Sequence, residues 1–310
     1  MNNMRESNLF NSMINISISN CIKRCVFIFF ICNPLIALCQ TSFTMPQDQQ
    51  GHYYINTAVN GHDNVKILVA SRLRGILINE NDYKTLFVDS LYKTVKSTYS
   101  EFKYSKGKLS IIKIKYGKVL IGDLSYTGNI YVVDSTYSKI GVPIHRLKNE
   151  KDSTAYMARL NFGKRTLDFV GQDTIEAIKM HEFKMIESSP EPVIETTLYL
   201  TDDNGKSGNI KGNFIFDLGN ASPLYLCTKN PSTRSFIKEN GFKISTATDK
   251  SGKNAGRGIY AGYCKVGENA IRHVTVGLTN MSDAIGYIGP SFFKKDYVII
   301  DTKNNIIYYE

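Results

Sequence analysis

The chain has 310 residues, 38 Lys+Arg against 28 Asp+Glu for a formal charge of +10, and six cysteines. At 42% hydrophobic and 21% charged residues it has the composition of a globular protein, which excludes a disordered or fibrous chain. The length allows one large domain or two modest ones, and the charge invites a nucleic-acid reading that depends on where the charge sits.

Lys23 and Arg24 precede an apolar run, residues 26–38, interrupted by Asn33 and Pro34. A basic segment followed by an apolar one of this length reads as a signal peptide, and it is short for a membrane span, which needs about 20 apolar residues. Ala37 and Cys39, ahead of Gln40, are small residues at the expected cleavage positions. Residues 1–39 are therefore expected to be a signal peptide or membrane anchor, and the protein to be exported to the periplasm, cell envelope or extracellular space. Leu35-Ile36-Ala37-Leu38-Cys39 comes close to a lipobox, with Leu38 where a small residue is wanted, so lipidation at Cys39 is an alternative. Membrane contact is expected only through this leader.

Removing the leader takes Cys21, Cys25, Cys32 and Cys39 with it and leaves Cys227 and Cys264, either a disulfide or two buried thiols. It also removes Arg5, Lys23 and Arg24 against Glu6, so the remainder stays basic at +8, from 35 basic and 27 acidic residues. Those lysines are scattered through turns such as Lys303-Asn304-Asn305, and no run of five or six like charges follows Gln40. This is the pattern of a solvated surface and not of a nucleic-acid footprint.

From His52 the chain runs in short β-branched and aromatic stretches punctuated by Gly, Asn and Asp, the signature of many short strands. Strands are predicted over 52–59, turning at Asn60-Gly61, over 66–69, two or three times within 97–120, and over 129–134. Helices are predicted over 81–96, 174–186 and 232–240. Two stretches then repeat. Val65-Lys66-Ile67-Leu68-Val69-Ala70-Ser71-Arg72 leads to Ile76-Leu77-Ile78, as Asn213-Phe214-Ile215-Phe216-Asp217-Leu218-Gly219-Asn220 leads to Leu224-Tyr225-Leu226. Further on, 158–167 parallels 298–307, each a strand, a polar turn and a returning strand. The order and the spacing of about ninety residues within each half point to an internal duplication. Its halves would be 52–170 and 196–310, joined by 171–195 with its Ser188-Ser189-Pro190-Glu191-Pro192.

This layout resembles the retropepsin- and pepsin-like aspartic peptidases over nearly all of the chain after the leader. In that family each lobe gives one Asp in a hydrophobic-hydrophobic-Asp-Thr/Ser-Gly turn, and a later hydrophobic-hydrophobic-Gly element closes a ψ-shaped loop around it. In the second half, Phe214 to Ser222 look like the Asp turn, with Asp217, Leu218, Gly219 and Ser222, and Ile285-Gly286-Tyr287-Ile288-Gly289 look like the closing element. In the first half Ala70 stands where the catalytic Asp belongs, Arg72 where the turn Gly belongs, and Gly141-Val142-Pro143-Ile144-His145 is an eroded closing element. The resemblance implies an all-β fold of two aspartic-peptidase-like (acid protease) β-barrel lobes with a few short helices, preceded by an N-terminal signal helix. The first lobe, 52–170, is degenerate, and the second, 196–310, carries Asp217.

Aspartic peptidases hold two carboxylates on one proton, one activating water while the other polarises the scissile carbonyl. With Ala70 as the degenerate partner position, Asp217 lacks its dyad. Leu218 departs again, because family members have Thr or Ser there, whose hydroxyl bridges the two turns. The structural alternative is that Asp217 ends a strand and accepts turn N–H bonds.

The leading expectation is an exported, catalytically degenerate monomer, a pseudoenzyme binding an extended peptide or unfolded protein segment in the interlobe cleft. The alternatives are an active aspartic endopeptidase pairing Asp217 with a second carboxylate, for which Asp168 and Asp173 are candidates, and a structural envelope protein. Ser251 to Tyr260 is glycine-rich and reads as a flap or a mobile hairpin tip. The five histidines make no His-x-x-x-His pair, so no metal and no cofactor are inferred. Gly256-x-Gly258 opens no helix, and Asn204-Gly205-Lys206-Ser207 lacks the upstream glycine of a phosphate loop and reads as a hairpin turn.

Overall fold

A computed structural model describes residues 42–310 except 97–99, 105–106, 135, 177–179, 221, 249–253 and 294–296. The predicted leader, signal helix and Cys39 lie outside the described residues. Residues from Thr41 to Glu310 form one unit, and it is all-β.

In the first half the strands are β1 (Ser42–Thr44), β2 (Tyr54–Val59), β3 (His62–Ala70), β4 (Ile76–Asn79), β5 (Lys93–Thr94), β6 (Glu101–Tyr104), β7 (Gly107–Ile121), β8 (Leu124–Val133), β9 (Ile140–Pro143) and β10 (Lys148–Asn149). A hairpin of β11 (Met157–Asn161) and β12 (Thr166–Val170) follows. The second half holds β13 (His181–Lys184), β14 (Val193–Asp202), β15 (Ser207–Phe216), β16 (Leu224–Cys227), β17 (Ile244–Thr248), β18 (Asn254–Val266), β19 (Asn269–Thr279), β20 (Gly286–Ile288), β21 (Tyr297–Asp301) and β22 (Ile306–Tyr309). The Asn60-Gly61 turn forms as predicted, with both residues at positive φ, 49° and 86°, the conformation that a tight hairpin requires.

The strand order β3-β9-β4-β8 in one sheet is matched by β15-β20-β16-β19 in the other. The directions match too. β3 runs parallel to β9 and β4 parallel to β8, with β4 and β9 antiparallel between them. β15–β20 and β16–β19 are parallel and β16–β20 antiparallel in the same way. Strands paired in this manner are covered on both faces, which is why β4, β9 and β20 are buried along their whole length.

A third, six-stranded sheet, β1-β12-β11-β21-β22-β13, draws on both ends of the chain. Its centre is the antiparallel pair β11–β21, with Ala158 opposite Ile300 and Leu160 opposite Val298. The two hairpins it joins turn alike. Asn161 Oδ1 accepts the Lys164 N–H at 2.7 Å, Asp301 Oδ1 accepts those of Lys303 and Asn304 at 3.0 and 2.9 Å, and Arg165 and Asn305 take the same positive φ of 56° and 55°. One continuous apolar core joins all three sheets, running from Ile67 and Val69 through Phe214 and Phe216 to Val298 and Ile300.

Helix α1 (Glu80–Leu86) follows β4, α2 (Gln172–Glu176) follows β12, and α3 (Pro231–Glu239) follows β16. Asn79 caps α1 by accepting the Asp82 N–H at 2.8 Å, and Asn230 caps α3 by accepting the Ser232 N–H at 2.9 Å, with Pro231 opening the first turn. The first helix is shorter than the predicted 81–96. Past Leu86 the chain passes through a 3-10 turn, Asp89–Leu91, into β5, which pairs with Lys115 and Tyr116 of β7. Asp89 fixes that path by bonding Lys113 at 2.9 Å, Lys115 at 2.6 Å and the Tyr83 hydroxyl at 3.0 Å. Of the predicted helix 174–186, the part up to Glu176 lies in α2, 177–179 lie outside the described residues, and 181–184 are instead the edge strand β13, where Phe183 stacks on Tyr309 with ring centroids 4.3 Å apart. Tertiary stacking there outweighs a weak helical pattern.

Candidate functional site

β3 ends at Ala70 and β15 at Phe216, so Ala70 and Asp217 stand at the ends of equivalent strands. Ser71, with no exposed surface, joins the two turns. Its Oγ donates to the Phe216 carbonyl at 2.7 Å and accepts the Leu218 N–H at 2.9 Å. The inter-turn hydroxyl therefore comes from the first half alone. Leu218, 1% exposed, sends its side chain into the core instead. Sequence reading noted the hydroxyl lost at 218 and overlooked the one at Ser71, although Ser71 follows Ala70 as Leu218 follows Asp217.

Asp217 is held by its own backbone and turn. Its N–H donates to the Ile288 carbonyl at 2.9 Å, its carbonyl accepts the Asn220 N–H at 3.1 Å, and its Oδ1 accepts the Gly219 N–H at 3.0 Å. Gly219 needs no left-handed backbone here. A Cβ on it would lie 3.3 Å from Asp217 Oδ1, so its bareness leaves the carboxylate room. Gly289 is held more tightly, since a Cβ there would stand 2.1 Å from the Ser222 carbonyl oxygen. The Ser222 N–H donates to Asn220 Oδ1 at 3.1 Å, and its Oγ donates to the Tyr225 hydroxyl at 3.3 Å. Ile288, Gly289, Ser222, Gly219 and Leu218 are thus assembled around Asp217.

Ala70 and Asp217 both open into one cavity of about 440 Å3. Leu68, Leu73, Leu77 and Leu109 form an apolar wall from the first half, and Asn220, Ser222, Tyr225 and Thr279 a polar wall from the second. Gln50 and His52 close one side, with Tyr137 and Lys139 of the β8–β9 loop. Arg72 enters from the first-half turn and lays its guanidinium over the Tyr287 ring, 4.7 Å from its centroid. That contact is a cation–π interaction.

Asp217 is half-buried, reachable from the cavity and enclosed by protein elsewhere. Burial raises its carboxyl above the usual carboxylate range, the positive charge of Arg72 and the Gly219 N–H oppose that, and the negative charge of Glu191 adds to it. Burial likewise pushes the Tyr287 hydroxyl up to about 12 and the Cys227 and Cys264 thiols up to about 11 and about 12. Both cysteines are buried free thiols, which settles the open disulfide question.

Among the described residues lining the cavity, Asp217 is the single carboxylate. Asp168 belongs to β12 in the six-stranded sheet, where it pairs with Arg159 at 2.9 Å and accepts the Ser42 hydroxyl at 2.5 Å. Asp173 sits in α2 beside Gly171. Neither is among the described residues lining the cavity, Asp168 lying on β12 and Asp173 in α2. Glu191 is bound to Arg74 at 3.3 Å. Of the glycine-rich stretch, residues 251–253 lie outside the described residues, and Asn254 to Tyr260 belong to β18, which pairs with β17 as a hairpin. Asn204 to Ser207 do turn between β14 and β15, on Asp202 Oδ1.

No protein-family model matches the chain, and no curated protein matches it.

Proposed function

We propose that this protein is a two-lobed, aspartic-peptidase-like binding protein that has lost catalysis and holds an extended peptide or unfolded protein segment in the cleft around Asp217. The observation that carries this reading is the site itself, a sizeable cavity with the two turns locked together by Ser71 and a lone carboxylate facing Ala70. A shared-proton dyad needs two carboxyl groups in contact, and one group cannot be acid and base in the same step. The cavity has the mixed lining of a ligand site, an apolar wall against a few placed polar groups. Export through the 1–39 leader and action as a monomer belong to the same proposal.

The test pairs binding with cleavage. Reduced, alkylated casein is incubated with the protein between pH 3 and 7, followed by mass spectrometry for cleavage and by anisotropy of a dye-labelled casein peptide for binding. Saturable binding without cleavage, retained in Asp217→Asn, is expected. Acid-pH cleavage that disappears in Asp217→Asn would refute the loss of catalysis, and absence of any binding would refute the peptide role.

A further inference from the structure

The cavity has an uneven charge. Its lining carries Arg72 and Lys139 against the lone Asp217, with His52 at the edge. Lys139 is drawn toward Asp48, 4.0 Å away. Arg72 forms no ion pair with any described residue and rests only on the Tyr287 ring. Asp217 is served on Oδ1 by Gly219, and Oδ2 receives no hydrogen bond from a described residue. The turns are locked together through Ser71, so an alanine methyl and a carboxyl group line the same cavity, with a guanidinium two residues on from the alanine.

We infer that the ligand supplies the second carboxylate. A carboxylate of the bound peptide, from its C-terminus or from an Asp or Glu side chain, sits beside Ala70, takes a charge-assisted hydrogen bond from Arg72 and shares one proton with Asp217. This rests on the peptide-binding reading above and names the chemistry that reading selects. Two adjacent carboxylates cannot both stay ionised, so the pair keeps one proton between them. The balance is simple. Where both groups start ionised, one proton enters from solvent for each ligand bound. Where Asp217 already carries the proton, none is taken up, and no covalent bond changes. An arginine can meet a carboxylate with two parallel charge-assisted hydrogen bonds.

The charged and titratable groups facing Asp217 come from several elements. They are Arg72 after β3, Glu191 in the connection before β14, and Tyr287 on β20, with Cys227 of β16 near Arg72 and Tyr287. His52 and Lys139 also line the cavity. Burial lifts the Asp217 carboxyl above the usual carboxylate range, against the positive charge of Arg72.

The probe is a dye-labelled octapeptide with three leucines at its C-terminal end, matched to the leucine wall, in three forms: free acid, neutral C-terminal amide, and amide with one internal Gln changed to Glu. Dissociation constants are read by anisotropy from pH 5 to 8. One or both carboxylate forms should bind at least tenfold more tightly than the neutral amide at pH 5, weakening toward pH 8 by up to tenfold per unit. The free acid and the Glu form distinguish a C-terminal from a side-chain source. Arg72→Gln should remove the advantage of the carboxylate forms over the neutral amide, and Arg72→Lys, which keeps the charge without the planar fork, should restore part of it. Asp217→Asn should flatten the pH profile while binding persists. Equal binding of all three peptides overturns this inference and leaves the peptide reading standing. Binding of none, by protein whose circular dichroism shows it folded, overturns both.

Discussion

Removing the hydroxyl of Ser71 tests the central contact of the site. Ser71→Ala deletes one donor and one acceptor at once. The Phe216 carbonyl loses its 2.7 Å partner and the Leu218 N–H its 2.9 Å partner. Ser71, Phe216 and Leu218 are 0%, 1% and 1% exposed, so water cannot readily replace the missing group. Leaving a buried backbone group unpaired costs about 1–3 kcal/mol, and two such groups with some local relaxation give about 2–4 kcal/mol. For a chain of this size that is a fall in melting temperature of about 4–8 °C. Ser71→Thr keeps both bonds but adds a methyl to a closed site, so it should lose less. The assay is chemical unfolding followed by circular dichroism, with hydrogen exchange at the Leu218 amide as the local reporter. The amide should exchange faster in Ser71→Ala beyond what the global loss of stability explains. A stability change below about 0.5 kcal/mol, the range of an ordinary surface substitution, together with an unaltered Leu218 amide, would refute the argument that Ser71 ties the turns.

Three further outcomes are expected. Gly289→Ala drives a Cβ to 2.1 Å from a backbone oxygen that has no freedom to swing away, so it should destabilise by about 3 kcal/mol or more, at the upper end for overpacking, read as a lower unfolding midpoint at constant m. Cys227 and Cys264 should both be recovered as alkylated peptides only after unfolding and without reductant; a disulfide-linked peptide pair, or rapid labelling of the native protein at pH 8, would contradict their burial. Burial, with Arg146 nearby, holds the His145 ring at about 3 against an ordinary value of 6.5, so the unfolded chain takes up a proton that the native one refuses. Its contribution to stability is therefore present above about pH 6.5 and lost as pH falls toward about 3, on the order of 5 kcal/mol at about 1.4 kcal/mol per unit. His145→Leu should flatten the stability profile across that window, and parallel profiles for the two proteins would show that His145 is not the group responsible.

Much of the local order was legible in the residues. The Asn60-Gly61 turn, the paired hairpins at 158–167 and 298–307 and the helix at 232–240 follow from turn chemistry, alternation and capping, all of which act within a few positions of the chain. Ile288 lies beside the Asp217 turn, its carbonyl accepting the Asp217 N–H at 2.9 Å. The helices 81–96 and 174–186 were overdrawn because what ends them is distant. Asp89 is stitched to Lys113 and Lys115 on a strand that comes later, and Phe183 is claimed by Tyr309 at the far end of the chain.

The sequence by itself settled that this chain is built from many short strands and that position 70 carries no acid. Tertiary structure alone decided what stands around Asp217. Ser71 reaches a carbonyl 145 residues away, Arg72 turns onto a ring from the other half, and Asp168 is committed to Arg159 in a different sheet. Local patterns report which residues form a strand or turn. Which side chains then share a cavity depends on how parallel and antiparallel pairings bring the ends of separate strands together, and periodicity along the chain does not encode it.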